Sequence, residues 1–291
     1  MTSGGGAAAP IRVLFLSSHA QLGGGEAYMR SIVEGLDEGF AADVVSLHDG
    51  PFVERLREGG HEVTVLPAHG RAGILTGVRA LRRRLREQRA DVVHANGVKA
   101  ALIAVLAALP SGPPVVWCKF DFAWDGWLAD LVAQRCRLVV GISAAVNEAL
   151  APRHRERTRV VWAGIPDYPD RREHGAALVR EWLGGAPDGP LIALSGRLCP
   201  GKGQLDLVEA LPAVLEQHPR ARAILLGVPD TFYPDFRGRL EQRAAELGVT
   251  DAVLFAPLEG HRPGEAVAVV SACDVLAQPS QLQERRLEGG L

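Results

Sequence analysis

The sequence predicts an α/β protein whose parallel sheets are covered by helices on both faces. Short strand candidates rich in valine and leucine alternate with longer segments whose apolar residues recur at helical spacing. Two of these strands run directly into glycine-rich turns that open a helix, at residues 17–26 and 195–204. A length of 291 residues is sufficient for two domains of ordinary size.

Composition limits the partners and the compartment. A charged fraction of 23% is typical of a globular protein, and a net charge of −2 provides no general attraction to nucleic acid. The four cysteines lack the spacing of metal ligands, which favours reduced thiols in a cytoplasmic protein. Residues 1–10 are small and glycine-rich, so we expect a disordered tail and no signal peptide. The longest apolar run, residues 100–109, is too short to span a bilayer.

The first half of the chain is predicted to form one parallel sheet. The strand candidates are residues 11–16, 43–47, 62–66, 91–95, 115–118, 138–142 and 159–162. The helix candidates are a segment with Met29, Ile32, Val33 and Leu36 on one face, and residues 52–58, 77–89, 99–108, 124–134 and 144–150. Ligands of such sheets bind at the carboxyl ends of strands. His19 and His94 each lie near such an end, where a packed histidine and a functional one are both open interpretations.

A glycine run follows the first strand. Gly23, Gly24 and Gly25 are contiguous, so they do not form the spaced dinucleotide-binding fingerprint. Glycines at the start of a helix allow close approach of a phosphate to backbone N–H groups. We therefore interpret this run as a phosphate-binding turn, with a merely flexible turn as the alternative.

The helix predicted at residues 77–89 carries a row of arginines. Apolar residues lie on its opposite face, as in an amphipathic helix. The arginines are Arg79, Arg82, Arg83 and Arg86. A solvated helix face is the simpler interpretation. The alternative is peripheral contact with an anionic membrane at the inner face of the cell.

The second half opens on a buried strand, residues 191–194, followed by the turn Ser195-Gly196-Arg197-Leu198-Cys199-Pro200-Gly201-Lys202-Gly203-Gln204. A strand–turn–helix of this kind presents backbone N–H groups at a helix N-terminus. Arg197 and Lys202 add two positive charges beside it, which is the chemistry of a diphosphate site. An ordinary turn with solvated charges is the alternative. The later candidates are strands at residues 223–226, 253–256 and 275–277, and helices at residues 235–247 and 264–272.

The string Gly196-Arg197-Leu198-x-Pro200-x-Lys202-Gly203, continued by Gln204 and a helix, resembles the nucleotide-sugar site of GT-B glycosyltransferases of family 4, also called group 1. The resemblance implies two Rossmann-like domains that face each other across a cleft. Residues 160–167 resemble the segment between these domains. We therefore expect an acceptor-side domain at residues 11–165 and a nucleotide-sugar-binding domain at residues 166–291.

The resemblance also implies roles for particular residues. Arg197 and Lys202 neutralise the departing diphosphate, and Gly196 lets it approach the turn. Gly23, Gly24 and Gly25 face the donor phosphates and the acceptor. Gly227 and Leu258 lie near the nucleotide.

Two strand ends resemble the acceptor side of the family. Residues 91–96 resemble its Asp-Val-Val-His-Ala-His segment, with Asn96 in place of the second histidine. A histidine that many relatives carry after the next strand is replaced by Phe120, which precedes Asp121. His94 and Asp121 are therefore the predicted acceptor-side residues.

The resemblance stops near the C-terminus. Residues 272–280 resemble the run into the family's donor-sugar motif, in which two glutamates are separated by seven residues. Glu284 and Glu288 are instead four positions apart. We therefore expect a C-terminal domain that is truncated or altered after Ser280.

Together these observations predict a retaining glycosyltransferase that moves a sugar from a nucleoside-diphosphate sugar to an acceptor hydroxyl. The resemblance implies no metal and no cofactor apart from the donor substrate. Two alternatives stay open: a GT-B-like sugar-nucleotide epimerase, and an inactive truncated protein that binds a nucleotide. A nicotinamide-dependent oxidoreductase is less favoured, because the spaced-glycine fingerprint is absent.

Overall fold

The computed structural model describes residues 9–66, 68, 73–120, 126–164, 171–230, 232–256 and 263–280. The described residues up to 164 form one compact unit, and those from 171 onward form a second. The predicted domain boundary and most of the predicted tail lie outside the described residues.

The first unit contains a parallel sheet with helices between its strands. The strands are β1 (Ile11–Ser17), β2 (Phe40–Ser46), β3 (Val63–Val65), β4 (Val92–Asn96), β5 (Val115–Lys119), β6 (Leu138–Gly141) and β7 (Thr158–Val160). The helices are α1 (Gly24–Glu34), α2 (Pro51–Glu58), α3 (Gly73–Gln88), α4 (Val98–Ala108), α5 (Trp127–Arg135) and α6 (Ala144–Glu148). The strand order is β3-β2-β1-β4-β5-β6-β7, and every pair is parallel.

Alternating residues of the central strands cover both faces of this sheet. Leu14 and Leu16 of β1 pack in the cluster that includes α3, α4 and α5. Val13 and Phe15 pack on the other face, with residues of α1 and α2. The strands are apolar on both faces for this reason, as parallel sheets require.

The second unit contains a smaller parallel sheet. Its strands are β8 (Leu191–Ser195), β9 (Arg222–Leu226), β10 (Val253–Phe255) and β11 (Val275–Leu276), in the order β10-β9-β8-β11. Its helices are α7 (Arg172–Leu183), α8 (Gln204–Gln217), α9 (Phe236–Glu246) and α10 (Pro263–Ala272). One face is covered by α8 and α9, and residues of α7 and α10 pack on the other.

The alternation of strands and helices is as predicted, with two differences. The elements predicted from the sequence do not include α7, whose first turn begins with the polar residues Arg172, Glu173 and His174. Val179 of α7 is buried against β8 and β9, and a Cβ at Gly175 would overlap the backbone of Ala268 in α10. Tertiary packing therefore stabilises a helix with a weak sequence pattern. Helix α1 begins at Gly24, so Gly24 and Gly25 belong to its first turn.

Candidate functional site

The turn after β8 is paired with the chain that follows β9. The Gly196 N–H donates to the Leu226 carbonyl at 2.9 Å, and the Leu198 N–H donates to the Val228 carbonyl at 2.9 Å. A parallel bridge joins Leu198 to Pro229. The backbone that carries Arg197 is therefore anchored on both sides.

Gly227 allows this close pairing. A Cβ at residue 227 would overlap the carbonyl oxygen of Gly196, so a larger residue would push the two segments apart. The structure gives Gly227 a packing role directly beside the predicted phosphate turn. Its contact with a nucleotide stays a prediction.

Gln204 supports the turn from its buried side, a role that its place in the sequence does not reveal. Its side chain is fully buried, and Nε2 donates to the carbonyls of Arg197, at 2.8 Å, and Gly196, at 3.4 Å. Its position at the start of α8 within the family string was the available signal for a place near the turn. The polarity of Gln204 therefore satisfies two turn carbonyls that would otherwise need water.

Gly203 joins the turn to α8. Its φ is +75°, a left-handed conformation that other residues adopt at a cost, and a Cβ would overlap Pro279. Close by, Gln278 Nε2 donates to the Ser195 carbonyl at 3.2 Å. The segment that precedes the expected donor-sugar motif therefore packs on the turn after β8, whereas Glu284 and Glu288 lie outside the described residues.

Arg197 is paired with a buried carboxylate. Its Nη1 donates to Oδ2 of Asp230, while the other carboxylate oxygen, Oδ1, accepts from the Phe232 N–H at 2.9 Å. The Asp230 side chain is 4% exposed and the Arg197 side chain is 46% exposed. The guanidinium is thus held on one side and open to solvent on the other. Asp230 was not singled out from the sequence.

Lys202 differs from Arg197 in its surroundings. Its stem passes Gly196, where a Cβ would lie 3.4 Å from Cγ of the lysine. Within the part of the chain that the structure describes, its ammonium has no hydrogen bond or ion pair. The turn therefore carries one tethered cation and one that is available to a ligand.

In the first unit, Asn96 connects β4 to the glycine run. Its Nδ2 donates to the Gly25 carbonyl at 3.1 Å, and its buried Oδ1 has no partner among the described residues. Cβ atoms at Gly25 would lie 3.5 Å from Phe120, whereas Gly24 faces open space. The first turn of α1 is thus held by the residue that replaces the family's second histidine.

His94 lies in the middle of β4, not at its end as predicted. Its Nε2 is 2.9 Å from the Cys118 sulfur, and its ring centroid is 5.0 Å from that of Phe15. Burial lowers the pKa of His94 to about 4 and raises the pKa of the Cys118 thiol to about 12. His94 pairs in register with Phe15, which packs on the face of the sheet covered by α1 and α2, so the His94 ring lies on that face as well. This environment is that of a packed, neutral imidazole.

A second group of basic side chains lies at the carboxyl edge of the same sheet. The rings of His19 and His48 are stacked, with centroids 6.4 Å apart. Lys99, in the first turn of α4, places Nζ 3.3 Å from His48 Nε2 and 3.4 Å from the Ala68 carbonyl. Burial lowers the pKa of Lys99. No carboxylate in the described ranges pairs with this lysine.

Other predicted features lie elsewhere. Asp121 and Leu258 are outside the described residues. A cavity of about 280 Å³ beside α6 and β7, lined in part by Asn147 and Arg155, contains none of the predicted site residues. No described helix has the length and apolar character needed to cross a membrane.

The predicted arginine row on α3 is only partly exposed. Arg82 donates to the carbonyls of Leu106, at 2.6 Å, and Ala107, at 3.1 Å, and so caps the end of α4. Arg83 lies 3.7 Å from Glu87. Arg79 and Arg86 remain without a partner among the residues described. The charge available to an anionic surface is therefore smaller than the sequence pattern suggested.

Two family models match successive parts of the chain. A model described as a glycosyl transferase 4-like domain matches residues 23–164, and one described as glycosyl transferases group 1 matches residues 180–290. Together they span most of the chain and both compact units.

Curated relatives agree with these models. A D-inositol 3-phosphate glycosyltransferase of Streptomyces avermitilis is 30% identical over 214 residues, which cover 65% of this chain and 46% of the relative. One from Acidothermus cellulolyticus is 35% identical over 135 residues, covering 44% of this chain and 30% of the relative. The chain thus spans about a third of the length of the first curated relatives that it matches.

Solved structures confirm the predicted fold class. The crystal structure of Anabaena Alr3699/HepE in complex with UDP matches with a TM-score of 0.74 at 25% identity, covering 93% of this chain and 74% of that one. Sucrose-phosphate synthase from Thermosynechococcus elongatus matches with a TM-score of 0.71 at 18% identity, covering 93% and 75%. The chain therefore belongs to the group 1, family 4 glycosyltransferases of the GT-B fold.

Proposed function

We propose that this chain transfers a sugar from a nucleoside-diphosphate sugar to a hydroxyl of a phosphorylated acceptor, with retention of anomeric configuration. The observation that carries the proposal is the turn between β8 and α8. It combines a tethered guanidinium at Arg197 with the Lys202 ammonium, which has no partner among the described residues, and both lie beside Gly196, where a ligand can approach. A helix N-terminus with two adjacent cations suits a diphosphate.

The chemistry follows from the charge that develops during transfer. As the bond between the anomeric carbon and the diphosphate oxygen breaks, its electron pair stays on the departing diphosphate. Arg197 and Lys202 stabilise that charge, which is electrostatic stabilisation by preorganised groups. The family resemblance supports retention and a mechanism that needs no metal ion.

The acceptor class is proposed from the edge of the first sheet. His19, His48 and Lys99 concentrate basic groups at the carboxyl ends of β1, β2 and β4, where α/β sheets bind ligands. The curated relatives are named for D-inositol 3-phosphate, which carries a phosphate. Asp121 stays the predicted acceptor-side residue. His94 is proposed to support this edge from the packed layer below it.

Of the four arginines predicted for membrane contact, Arg79 and Arg86 are the two without a partner in the described part of the chain. Two basic residues near an anionic surface contribute about 2 kcal/mol together, which is too little for stable attachment. We therefore expect equal recovery of the protein with neutral and anionic vesicles in a flotation assay. Preferential recovery with anionic vesicles would instead support peripheral binding of the protein to an anionic membrane.

Product analysis tests the proposal. The chain is incubated with radiolabelled UDP-glucose and either D-myo-inositol 3-phosphate, glucose 6-phosphate or their unphosphorylated counterparts. UDP-glucose is the first donor to use because Anabaena Alr3699/HepE, which has a similar fold, was crystallised in complex with it. Transfer to a phosphorylated acceptor, in preference to its counterpart, is the expected result.

The other outcomes separate the alternatives. Release of free sugar without an acceptor would favour an epimerase or a hydrolase. Binding of UDP without consumption of any nucleoside-diphosphate sugar in a panel of donors would favour an inactive nucleotide-binding protein. Equal transfer to the phosphorylated and unphosphorylated acceptors would contradict the proposed preference for a phosphorylated acceptor, while sugar transfer itself would still be supported.

A further inference from the structure

Asp230 lies outside the stretch from Gly196 to Gln204 that carries the family resemblance, yet it contacts a residue of that stretch. It follows β9, next to the residues whose backbone pairs with the phosphate turn. Its carboxylate is 4% exposed, and among the described residues each oxygen has one partner, the Phe232 N–H for Oδ1 and Arg197 Nη1 for Oδ2. An ionised group this deeply buried requires a cation or several hydrogen bonds. Arg197 is the one cation that pairs with it within the described ranges.

The pair restricts what Arg197 can do. If its guanidinium turned fully toward a ligand, it would leave the Asp230 carboxylate buried and uncompensated. A guanidinium has five N–H donors in a planar fork, and the contact with Asp230 uses Nη1. The other donors can therefore bind a phosphate while the pair stays intact, and the 46% exposure of Arg197 leaves room for one.

We infer that Asp230 is a positioning residue that orients the guanidinium of Arg197 toward the diphosphate of the donor. This inference rests on the proposed function. Without the carboxylate, a flexible arginine would have to be ordered in each turnover, and its orientation at the departing oxygen would be lost. Asp230 itself does not touch the substrate.

The first variant is Asp230→Asn. The amide oxygen of asparagine can still accept from the Phe232 N–H, so the turn after β9 is retained while the ion pair is removed. Misplacement of a group at the reacting bond by about 1 Å costs on the order of 100-fold in rate. We therefore expect kcat for sugar transfer to fall about 10- to 100-fold, with the Kd of UDP changed by less than about threefold.

A second background separates positioning from a merely structural role. In Arg197→Ala, the Asp230 carboxylate has lost its cation and repels the diphosphate. Adding Asp230→Asn to this background should raise kcat, whereas the same change lowers kcat in the wild-type background. A structural role for Asp230 predicts a decrease in both backgrounds. The sign reversal is thus the result that supports the inference.

The matched control is Glu209→Gln. Glu209 forms an ion pair with Arg243 at 3.0 Å in the same unit, on the outer faces of α8 and α9. Its removal should leave kcat unchanged. If Asp230→Asn does not fold, Asp230→Glu retains the charge on a longer stem and should lower kcat without weakening UDP binding.

The outcomes are distinguishable from failure of the proposed function. If the wild-type chain consumes no nucleoside-diphosphate sugar, the proposed function fails and the inference with it. If the wild-type chain is active and Asp230→Asn matches it, only the inference is overturned. A parallel loss of kcat, UDP affinity and thermal stability in both backgrounds would also overturn it.

Discussion

Replacing Lys202 by methionine tests the diphosphate site most directly. Methionine keeps an unbranched stem beside Gly196 and removes only the ammonium. The turn itself is closed by main-chain bonds that the variant retains, from the Lys202 N–H to the Cys199 carbonyl at 3.1 Å and from the Gly203 N–H to the Pro200 carbonyl at 3.5 Å. Folding should therefore be little affected.

The expected magnitudes follow from these surroundings. Because the ammonium has no partner in the described part of the chain, its removal breaks no internal bond, and the free energy of unfolding should change by less than about 0.5 kcal/mol. Loss of one charge-assisted contact to the departing diphosphate costs about 3 kcal/mol, which corresponds to roughly a 100-fold decrease in kcat.

The assay compares turnover of the nucleoside-diphosphate sugar with urea unfolding of the same preparations. Arg180→Met is the matched control, since Arg180 is an exposed cation of the same unit, on α7 and without a partner among the described residues. It should leave both quantities unchanged. A Lys202→Met variant that turns over like the wild type, or that loses activity only in proportion to stability, would refute the assignment.

Three further predictions concern the folded chain. Gly203→Ala should lower the free energy of unfolding, measured in urea, by more than about 1 kcal/mol, because the φ of Gly203 is +75° and a Cβ there would overlap Pro279. The control Gly238→Ala lies inside α9 with open space around it and should raise the free energy of unfolding by about 0.5 kcal/mol. Equal effects of the two variants would contradict this prediction. The Cys118 thiol, with its pKa raised to about 12 by burial, should react with Ellman's reagent at pH 8 only after unfolding, so native labelling should be the same in Cys118→Ser. Burial lowers the pKa of His94 to about 4, so between about pH 6.5 and 4 the unfolded chain binds more protons than the folded one. The free energy of unfolding should therefore decrease as the pH falls through this range. His94→Gln should reduce the slope of the free energy of unfolding against pH, measured by urea unfolding, and an unchanged slope would contradict the burial argument.

Local sequence patterns were sufficient to predict the elements that carry the site. Valine-rich strands and helical spacing predicted both parallel sheets, and the string from Gly196 to Gln204 predicted the turn between β8 and α8, whereas phosphate binding at that turn stays a prediction. Both are features of neighbouring residues, which a sequence displays directly. Helix α7 escaped prediction because its stability comes from packing against β8, β9 and α10.

The supporting contacts could not be predicted because they join distant residues. Asp230 reaches Arg197 across 33 positions, and Asn96 reaches Gly25 across 71. Nothing in the local sequence distinguishes such a buried aspartate from a solvated loop residue. His94 was placed at a strand end because the strand was predicted one residue short, and the side-chain direction in a strand depends on its position relative to neighbouring strands.

The ladder between β8 and β9 does not stop where the strands stop, since the backbone from Gly196 to Leu198 continues to pair with residues 226–229. Amide hydrogens in this part of the turn should therefore exchange slowly with solvent even before any ligand arrives. Binding then orders little additional backbone in this turn, so the turn should contribute little to the conformational entropy that is lost when a nucleotide binds.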